Sequence, residues 1–117
     1  MAHDDTPIRP AATVLLVRDG ADGLEVLMQR RAATMVFASG TYVFPGGRVD
    51  PADGEGEAGY RAAAARECRE EAGLDIDATD LVWIAHWITP RGEPRRFDTR
   101  FFLAVAPHGQ EAVHDGE

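Results

Sequence analysis

Three glutamates that fall within five residues of one another could hold a divalent cation. Glu67, Glu70 and Glu71 belong to the run RECREEAGL at positions 66–74. On an α-helix, at about 100° per residue, their carboxylates lie within roughly 100° of the circumference and can converge. Like charges at this spacing repel, so the cluster becomes favourable only when its oxygens share a hard cation. Magnesium or manganese fits best, since both prefer carboxylate and water oxygens.

The same cluster could be an ordinary solvated helix face, which is the commoner role of glutamates on helices. The whole pattern, Arg-Glu-apolar-x-Glu-Glu-x-Gly-apolar, argues against this interpretation, because a composition as ordinary as this one generates it by chance in about one sequence per ten thousand. Ala65, Cys68 and Ala72 lie on another face of the helix, roughly 130° away. We therefore expect one face to bind metal and another to pack on a sheet.

A mixed sheet and one helix are predicted around this cluster. The segment DGADG separates two short apolar runs, which is typical of a hairpin. The predicted strands cover residues 12–17, 24–29, 41–44, 81–88 and 96–105, and the predicted helix covers residues 58–72, with Gly73 as its C-terminal cap. A loop of unusual shape is expected after the third strand, at residues 45–47. The fold class is therefore α/β (α+β), with the helix packed on one face of the sheet.

The predicted organisation is a mobile N-terminal arm at residues 1–10 and a single domain at residues 11–117. If the helix covers one face of the sheet, nothing else in the sequence covers the other face. A partner chain, such as a second copy in a homodimer, or further chain beyond residue 117 would then be needed. The aromatic side chains of the last two strands are expected to lie mostly in the core.

Composition excludes several classes of function. The 117 residues contain one cysteine, one serine and no lysine, which argues against disulfides, a structural zinc site, a serine hydrolase and a phosphate-binding lysine. The formal net charge of -8 repels nucleic acid, and a polyanionic substrate would need a metal ion. The sequence has neither an apolar run of about 18 residues nor a signal peptide, so we expect a cytoplasmic protein without membrane contact.

The run at 66–74, together with Gly46 and Gly47 upstream, resembles the Nudix box of the Nudix hydrolases. The resemblance extends from the first hairpin to the Phe-rich strand and implies a Nudix-type mixed sheet that supports the box helix. The catalytic residues that it implies are Arg66, Glu67, Glu70 and Glu71. Arg66 would orient the first glutamate by ion pairing, and the three glutamates would hold Mg²⁺ or Mn²⁺. Gly47 looks like the first glycine of the box.

The spacing of the box departs from the family between Gly47 and Arg66. Asp53 stands where the family has a glutamate, but twelve residues then precede Arg66 instead of the usual seven. The loop therefore carries an insertion of five residues. This departure leaves the role of Asp53 open.

The resemblance implies metal-assisted hydrolysis of a diphosphate in a nucleoside diphosphate derivative, without an enzyme nucleophile. The residue types and spacing at 27–32, Gly40 and 44–47 resemble the sequence pattern of the coenzyme A diphosphatase-like branch of the family. One position departs from that pattern, because Val36 stands where the branch has an arginine. Coenzyme A or acyl-coenzyme A is therefore one candidate substrate. The residues that we expect to contact it are Arg31, Gly46, Gly47, Arg91 and Arg96.

A catalytically silent Nudix-like binding or regulatory module is the alternative. The chain ends soon after the Phe-rich strand, without the later strand and closing helix that relatives usually carry. A silent binding or regulatory module of this family would usually have lost one or more glutamates of the box. Because Glu67, Glu70 and Glu71 are all present, the sequence favours an enzyme.

Overall fold

The computed structural model describes residues 6–30 and 42–107. It is a mixed α+β fold, as predicted, with a five-stranded sheet, a separate two-stranded pair and one α-helix in this part of the chain. The strands are β1 (Ile8–Gly20), β2 (Gly23–Val26), β3 (Gln29–Arg30), β4 (Tyr42–Val43), β5 (Gly46–Arg48), β6 (Val82–Ile88) and β7 (Arg96–Val105). The helix α1 spans Gly56–Glu67, and a π-helical turn continues it over Cys68–Ala72.

Strand β1 is the centre of the sheet. It forms the predicted antiparallel hairpin with β2 and pairs in parallel with β7 over ten residues, from Ile8 opposite Arg96 to Val17 opposite Val105. The strand therefore begins inside the segment 1–10 that we predicted to be a mobile arm. The prediction is wrong for residues 8–10, because the backbone of β7 supplies hydrogen-bond partners that the local sequence does not reveal.

Residues 46–48 form a short strand where the sequence predicts only an irregular loop. β5 pairs antiparallel with β1, with Gly47 opposite Ala12 and Gly46 opposite Thr13. An added Cβ at Gly46 would lie 2.5 Å from the carbonyl oxygen of Ala12. Glycine is therefore required at this position for β5 to approach β1. This pairing fixes the start of the box loop, which is the segment at residues 49–55 between β5 and α1.

Helix α1 packs across one face of the sheet and buries small side chains. The core joins β1, β7 and the helical segment through Ala12, Val14, Leu16, Tyr60, Ala63, Ala64, Cys68, Ala72, Leu74, Leu81, Phe102 and Ala104. Alanines on the helix allow its axis to lie close to the strands. The Arg61 guanidinium donates to the carbonyl oxygens of Ala78 and Leu81 and thereby holds the segment that leads from the helix into β6.

Strand β6 lies at the edge of the sheet opposite β2, and its side chains are exposed. Trp83 and Trp87 are 43% and 64% exposed, whereas Phe102 on β7 is completely buried. The expectation that the strand aromatics are mostly core is therefore wrong for both tryptophans, because the helix does not extend over β6. Among the described helices, none is long and apolar enough to cross a membrane.

Candidate active site

The three glutamates of the box lie where the helix widens. Glu67 is the last residue of α1, and Glu70 and Glu71 lie in the π-helical turn that follows. The helical segment ends at Gly73, whose left-handed backbone (φ 68°, ψ 20°) forms the predicted C-terminal cap. The prediction of a helix to residue 72 is therefore confirmed, but the last turn is π-helical rather than α-helical.

The three carboxylates of the box differ in exposure. Glu67 and Glu71 are both partly buried, whereas the side chain of Glu70 is 57% exposed. Among the described residues, no group of three or more potential ligands is arranged to hold a metal ion.

The glycine pair of β5 faces the partly buried glutamates. The backbone N–H of Gly46 donates to Oε1 of Glu71 at 3.0 Å. An added Cβ at Gly47 would lie 2.7 Å from the carboxylate carbon of Glu67. The strand backbone therefore approaches both carboxylates closely, and a side chain at position 47 would displace one of them.

Arg66 connects the box loop to two of the glutamates. Its Nε and Nη2 donate to the two carboxylate oxygens of Asp53 at 3.1 and 2.9 Å. Its Nη1 donates to Glu67 at 2.8 Å and to Glu70 at 3.1 Å, and its Nη2 also donates to the carbonyl oxygen of Arg48. Asp53, whose role the sequence leaves open, is thus the bidentate partner of Arg66, despite the longer loop.

The electrostatic environment shifts the pKa values of the site in opposite directions. Burial of Glu67, with the negative charge of Glu71 as the next cause, raises its pKa to about 7, although Arg66 opposes the shift. The Arg66 guanidinium lowers the pKa of Asp53 through their hydrogen bonds, and the same bonds raise the pKa of Arg66. Cys68 is fully buried, and burial raises its pKa to about 12, which agrees with the role of a small core side chain.

The donor set of Glu67 and Glu71 fits a hard divalent cation. Both groups are carboxylates, they repel each other electrostatically, and burial has removed part of their hydration. A cation would relieve this repulsion and restore oxygen coordination. Glu70, which shares the Arg66 guanidinium with Glu67, is a neighbouring carboxylate that is accessible from solvent.

The predicted substrate residues occupy different parts of the sheet. Gly46 and Gly47 lie directly at the glutamates, whereas Arg91 lies on the exposed turn between β6 and β7, and Arg31 lies outside the described residues. The guanidinium of Arg96 donates to the carbonyl oxygen of Thr89 and helps to close this turn. Ala12 of β1 lies between Gly47 of β5 and Arg100 of β7 in the sheet. Arg96 is four residues from Arg100 and therefore roughly 13 Å away from it along β7.

The site combines a cluster of carboxylates at the end of a helix with a glycine pair on the strand that faces it. A family model described as NUDIX domain matches residues 7–117. The chain therefore belongs to the Nudix family, which confirms the family resemblance. The fold of the chain is similar to that in the crystal structure of a NUDIX hydrolase from Alicyclobacillus acidocaldarius, with a TM-score of 0.80 and 32% sequence identity. The superposition covers 97% of this chain and 77% of that one.

Two curated relatives carry the same family name. The chain is 31% identical, over an alignment 132 positions long, to a Caenorhabditis elegans protein named "Putative nudix hydrolase 7". The alignment covers 83% of this chain and 44% of that protein. It is 39% identical over 74 residues to "Uncharacterized Nudix hydrolase NudL" of Cronobacter sakazakii, covering 63% of this chain and 35% of that protein. The chain thus matches less than half the length of either relative.

Proposed function

We propose that this chain hydrolyses a diphosphate linkage in a nucleoside diphosphate derivative, with a divalent cation as cofactor. The observation that carries the proposal is the close approach of Glu67 and Glu71 to the glycine pair of β5. Two partly buried carboxylates that repel each other are unfavourable in isolation, and a shared cation makes them favourable. Family membership supports the same reaction class.

Each residue of the site has a distinct part in the proposed mechanism. Glu67 and Glu71 would hold Mg²⁺ or Mn²⁺, with Glu70 as a further ligand or as the group that orients water. A bound cation lowers the pKa of a water molecule and neutralises phosphate charge. Arg66 positions Glu67 and Glu70 through its hydrogen bonds, and the Gly46 N–H fixes the orientation of Glu71.

The reaction needs no covalent bond between enzyme and substrate. The oxygen of a water molecule bonds to one phosphorus of the diphosphate, and the bond from that phosphorus to the bridging oxygen breaks. The water loses one proton to a carboxylate of the site, and the products are two phosphate monoesters. The contribution of the protein is to position the reactants and to stabilise the transferred phosphoryl group electrostatically.

Coenzyme A or an acyl-coenzyme A is the substrate candidate that the motif at residues 27–32 and 44–47 supports. In this proposal, Gly46 and Gly47 approach the diphosphate, and Arg31, Arg91 and Arg96 contact other anionic groups of the substrate. Guanidinium groups are suited to this role because they bind phosphate oxygens bidentately.

A substrate panel with matched variants tests the proposal. Release of phosphorylated products from coenzyme A, acyl-coenzyme A, ADP-ribose, dinucleoside polyphosphates and nucleotide sugars is measured with Mg²⁺ and with Mn²⁺. We expect Glu71→Gln to lower kcat/KM by more than about a hundredfold, because even groups that only orient metal ligands contribute 10–100-fold. Glu55→Gln is the matched control, since Glu55 is an exposed carboxylate that precedes the same helix.

The proposal fails if Glu71→Gln keeps the turnover of the wild type. It also fails if no substrate of the panel is cleaved while the ligands still bind, which would instead identify a silent binding module. Circular dichroism of both variants distinguishes loss of activity from loss of folding.

A further inference from the structure

A cleft lies beside the box loop, at the end of the sheet where β1 begins. Its volume is about 340 Å³, and its walls include Arg9 and Arg48 from the paired strands and Asp50, Pro51 and Gly54 from the loop. This volume is within the usual range for small-molecule sites, roughly 300–1,000 Å³. The cleft is separate from the carboxylate pair, which does not line it.

The two arginines of the cleft extend from the same face of the sheet. Ala11 is paired with Arg48, and the Val49 N–H donates to the carbonyl oxygen of Pro10, so the antiparallel pairing continues beyond β5. Arg9 lies two residues from Ala11 on the same face. Arg9 and Arg48 are therefore diagonal neighbours with Cα atoms roughly 7–8 Å apart, a separation that long side chains can bridge around one anion.

Two arginines and one carboxylate, that of Asp50, are the charged side chains that line the cleft. Both arginine side chains are exposed, and neither forms an ion pair with a carboxylate of the described residues. The carboxylate of Asp50 lies 3.5 Å from Nη2 of Arg66, a guanidinium that also contacts Asp53, Glu67 and Glu70. Two guanidinium groups that form no ion pair among the described residues thus line this concave surface, and they outnumber the one carboxylate in its lining.

We propose that this cleft is a phosphate-binding site, in which Arg9 and Arg48 together bind a phosphate monoester group. The guanidinium fork matches the oxygens of such a group, and two forks offer more donors than one phosphate needs. The carbonyl oxygen of Arg48 also accepts a hydrogen bond from Arg66. Arg48 therefore connects the cleft to Arg66, which positions Glu67 and Glu70.

The proposal does not depend on the proposed hydrolysis, because binding can be measured without a cation. In excess chelator the glutamates of the box repel phosphate, so they do not contribute to binding. Calorimetric titration with inorganic phosphate then tests the cleft directly. We expect binding to weaken about tenfold or more in Arg9→Gln and in Arg48→Gln, and to be lost in the double variant.

Arg18→Gln is the matched control for these titrations. Arg18 is an exposed arginine on the same strand, at its other end, and its Nε already pairs with Glu25 at 2.7 Å. We expect this variant to bind phosphate as the wild type does. Since the side chains of Arg9 and Arg48 are exposed, the thermal midpoints of all variants should match that of the wild type, which separates weaker binding from unfolding.

A second experiment identifies the source of the phosphate. Hydrolysis of coenzyme A and of 3′-dephospho-coenzyme A is compared in the wild type and in Arg9→Gln. If the substrate carries the bound phosphate, the KM advantage of coenzyme A disappears in the variant. If a separate ligand carries it, phosphate binding is lost while both KM values stay unchanged, and the cleft remains a phosphate site in either case.

Three results would overturn the proposal. The first is no phosphate binding by the wild type in chelator, and the second is equal binding by Arg9→Gln, Arg48→Gln and Arg18→Gln. The third is loss of binding in Arg91→Gln but not in Arg9→Gln, which would move the site to the turn between β6 and β7. None of these results depends on whether the chain hydrolyses a diphosphate.

Discussion

At the scale of single residues, Glu67 is the group whose protonation depends most on the fold. Its pKa is raised to about 7 by burial and by Glu71, whereas in the unfolded chain it titrates near 4.5. The folded state therefore favours the protonated form. The contribution of Glu67 to stability is complete below about pH 4.5 and is lost as the pH rises through about 7.

This linkage predicts a pH-dependent stability that one substitution removes. In chelator, the thermal midpoint of the wild type should fall between pH 5.5 and pH 7.5, and Glu67→Gln should reduce this fall, because glutamine does not ionise. Glu55→Gln, which changes an exposed carboxylate, should keep the wild-type slope. Thermal denaturation monitored by circular dichroism measures all three proteins. Equal slopes in the wild type and Glu67→Gln would mean that Glu67 is ionised throughout this range.

The two glycines of β5 should respond differently to the same added methyl group. In Gly46→Ala the new Cβ meets the carbonyl oxygen of Ala12 at 2.5 Å, a backbone atom that cannot move alone, so we expect a loss of about 1–3 kcal/mol in stability. In Gly47→Ala it meets the Glu67 carboxylate at 2.7 Å, which is the end of a side chain. We therefore expect little change in stability but a fall in kcat/KM on the order of a hundredfold.

Denaturant unfolding and steady-state kinetics on the same two preparations distinguish these effects. The two substitutions are one residue apart and identical in chemistry, so each is the control for the other. If Gly47→Ala keeps full activity, then the position of the Glu67 carboxylate does not limit the reaction.

At the scale of secondary-structure elements, the sequence predicts where the helix ends but not how it ends. The cap at Gly73 follows from the need for a left-handed residue, and it lies where predicted. The π-helical turn over Cys68–Ala72 was not predicted, because the spacing of the glutamates is compatible with either helix. Strand β5 was missed for a similar reason: two glycines have low strand propensity, and only pairing with β1 makes them a strand.

The box loop is attached to the helix mainly through Asp53 and Arg66. The side chain of Asp53 is 8% exposed and that of Arg66 is 24% exposed. Asp53→Asn therefore removes the bidentate charged partner of a partly buried guanidinium, which keeps its contacts to Glu67 and Glu70. We expect Asp53→Asn to cost about 1–3 kcal/mol in the free energy of unfolding, the range for hydrogen bonds to charged groups. It should also lower activity, because Arg66 positions Glu67 and Glu70.

A second aspartate gives the control for this prediction. Asp75 pairs with Arg69 at 3.0 Å, but both side chains are more than 60% exposed, and such surface pairs contribute about 1 kcal/mol or less. Asp75→Asn should therefore have a small effect in the same urea titration. A loss in Asp53→Asn no larger than in Asp75→Asn would show that the loop is held by other contacts.

At the scale of the whole molecule, the helix covers only part of the sheet. The sequence already indicates this imbalance, because it offers one helix for five predicted strands. What it does not indicate is which strand stays uncovered. The long pairing of β1 with β7 places β6 at the edge, beyond the reach of a helix whose buried side chains are mostly alanine.

The exposed strand β6 is unusually apolar for an edge. Its five large apolar side chains, Val82, Trp83, Ile84, Trp87 and Ile88, are 43–64% exposed. Edge strands usually carry charges that prevent association, and the only ionisable side chain in VWIAHWI is His86. A β-bulge between Trp83 and Ala85 places Trp83 opposite Phe102 and Trp87 opposite Thr99, so the two tryptophans extend from opposite faces of the sheet. Two copies paired edge to edge through β6 about a two-fold axis would therefore bring apolar side chains together on both faces of the joined sheet.

We expect the chain to form a homodimer through β6, and a single substitution should weaken it. A stable interface buries about 800 Å² per partner, with tryptophans among its main contributors. In sedimentation velocity over a range of concentrations, Trp87→Arg should raise the dissociation constant at least about tenfold. Leu24→Arg is the control, because Leu24 is 69% exposed but lies on β2 at the opposite edge. A wild type that sediments as a monomer at every concentration, or equal effects of both substitutions, would exclude β6 as the interface.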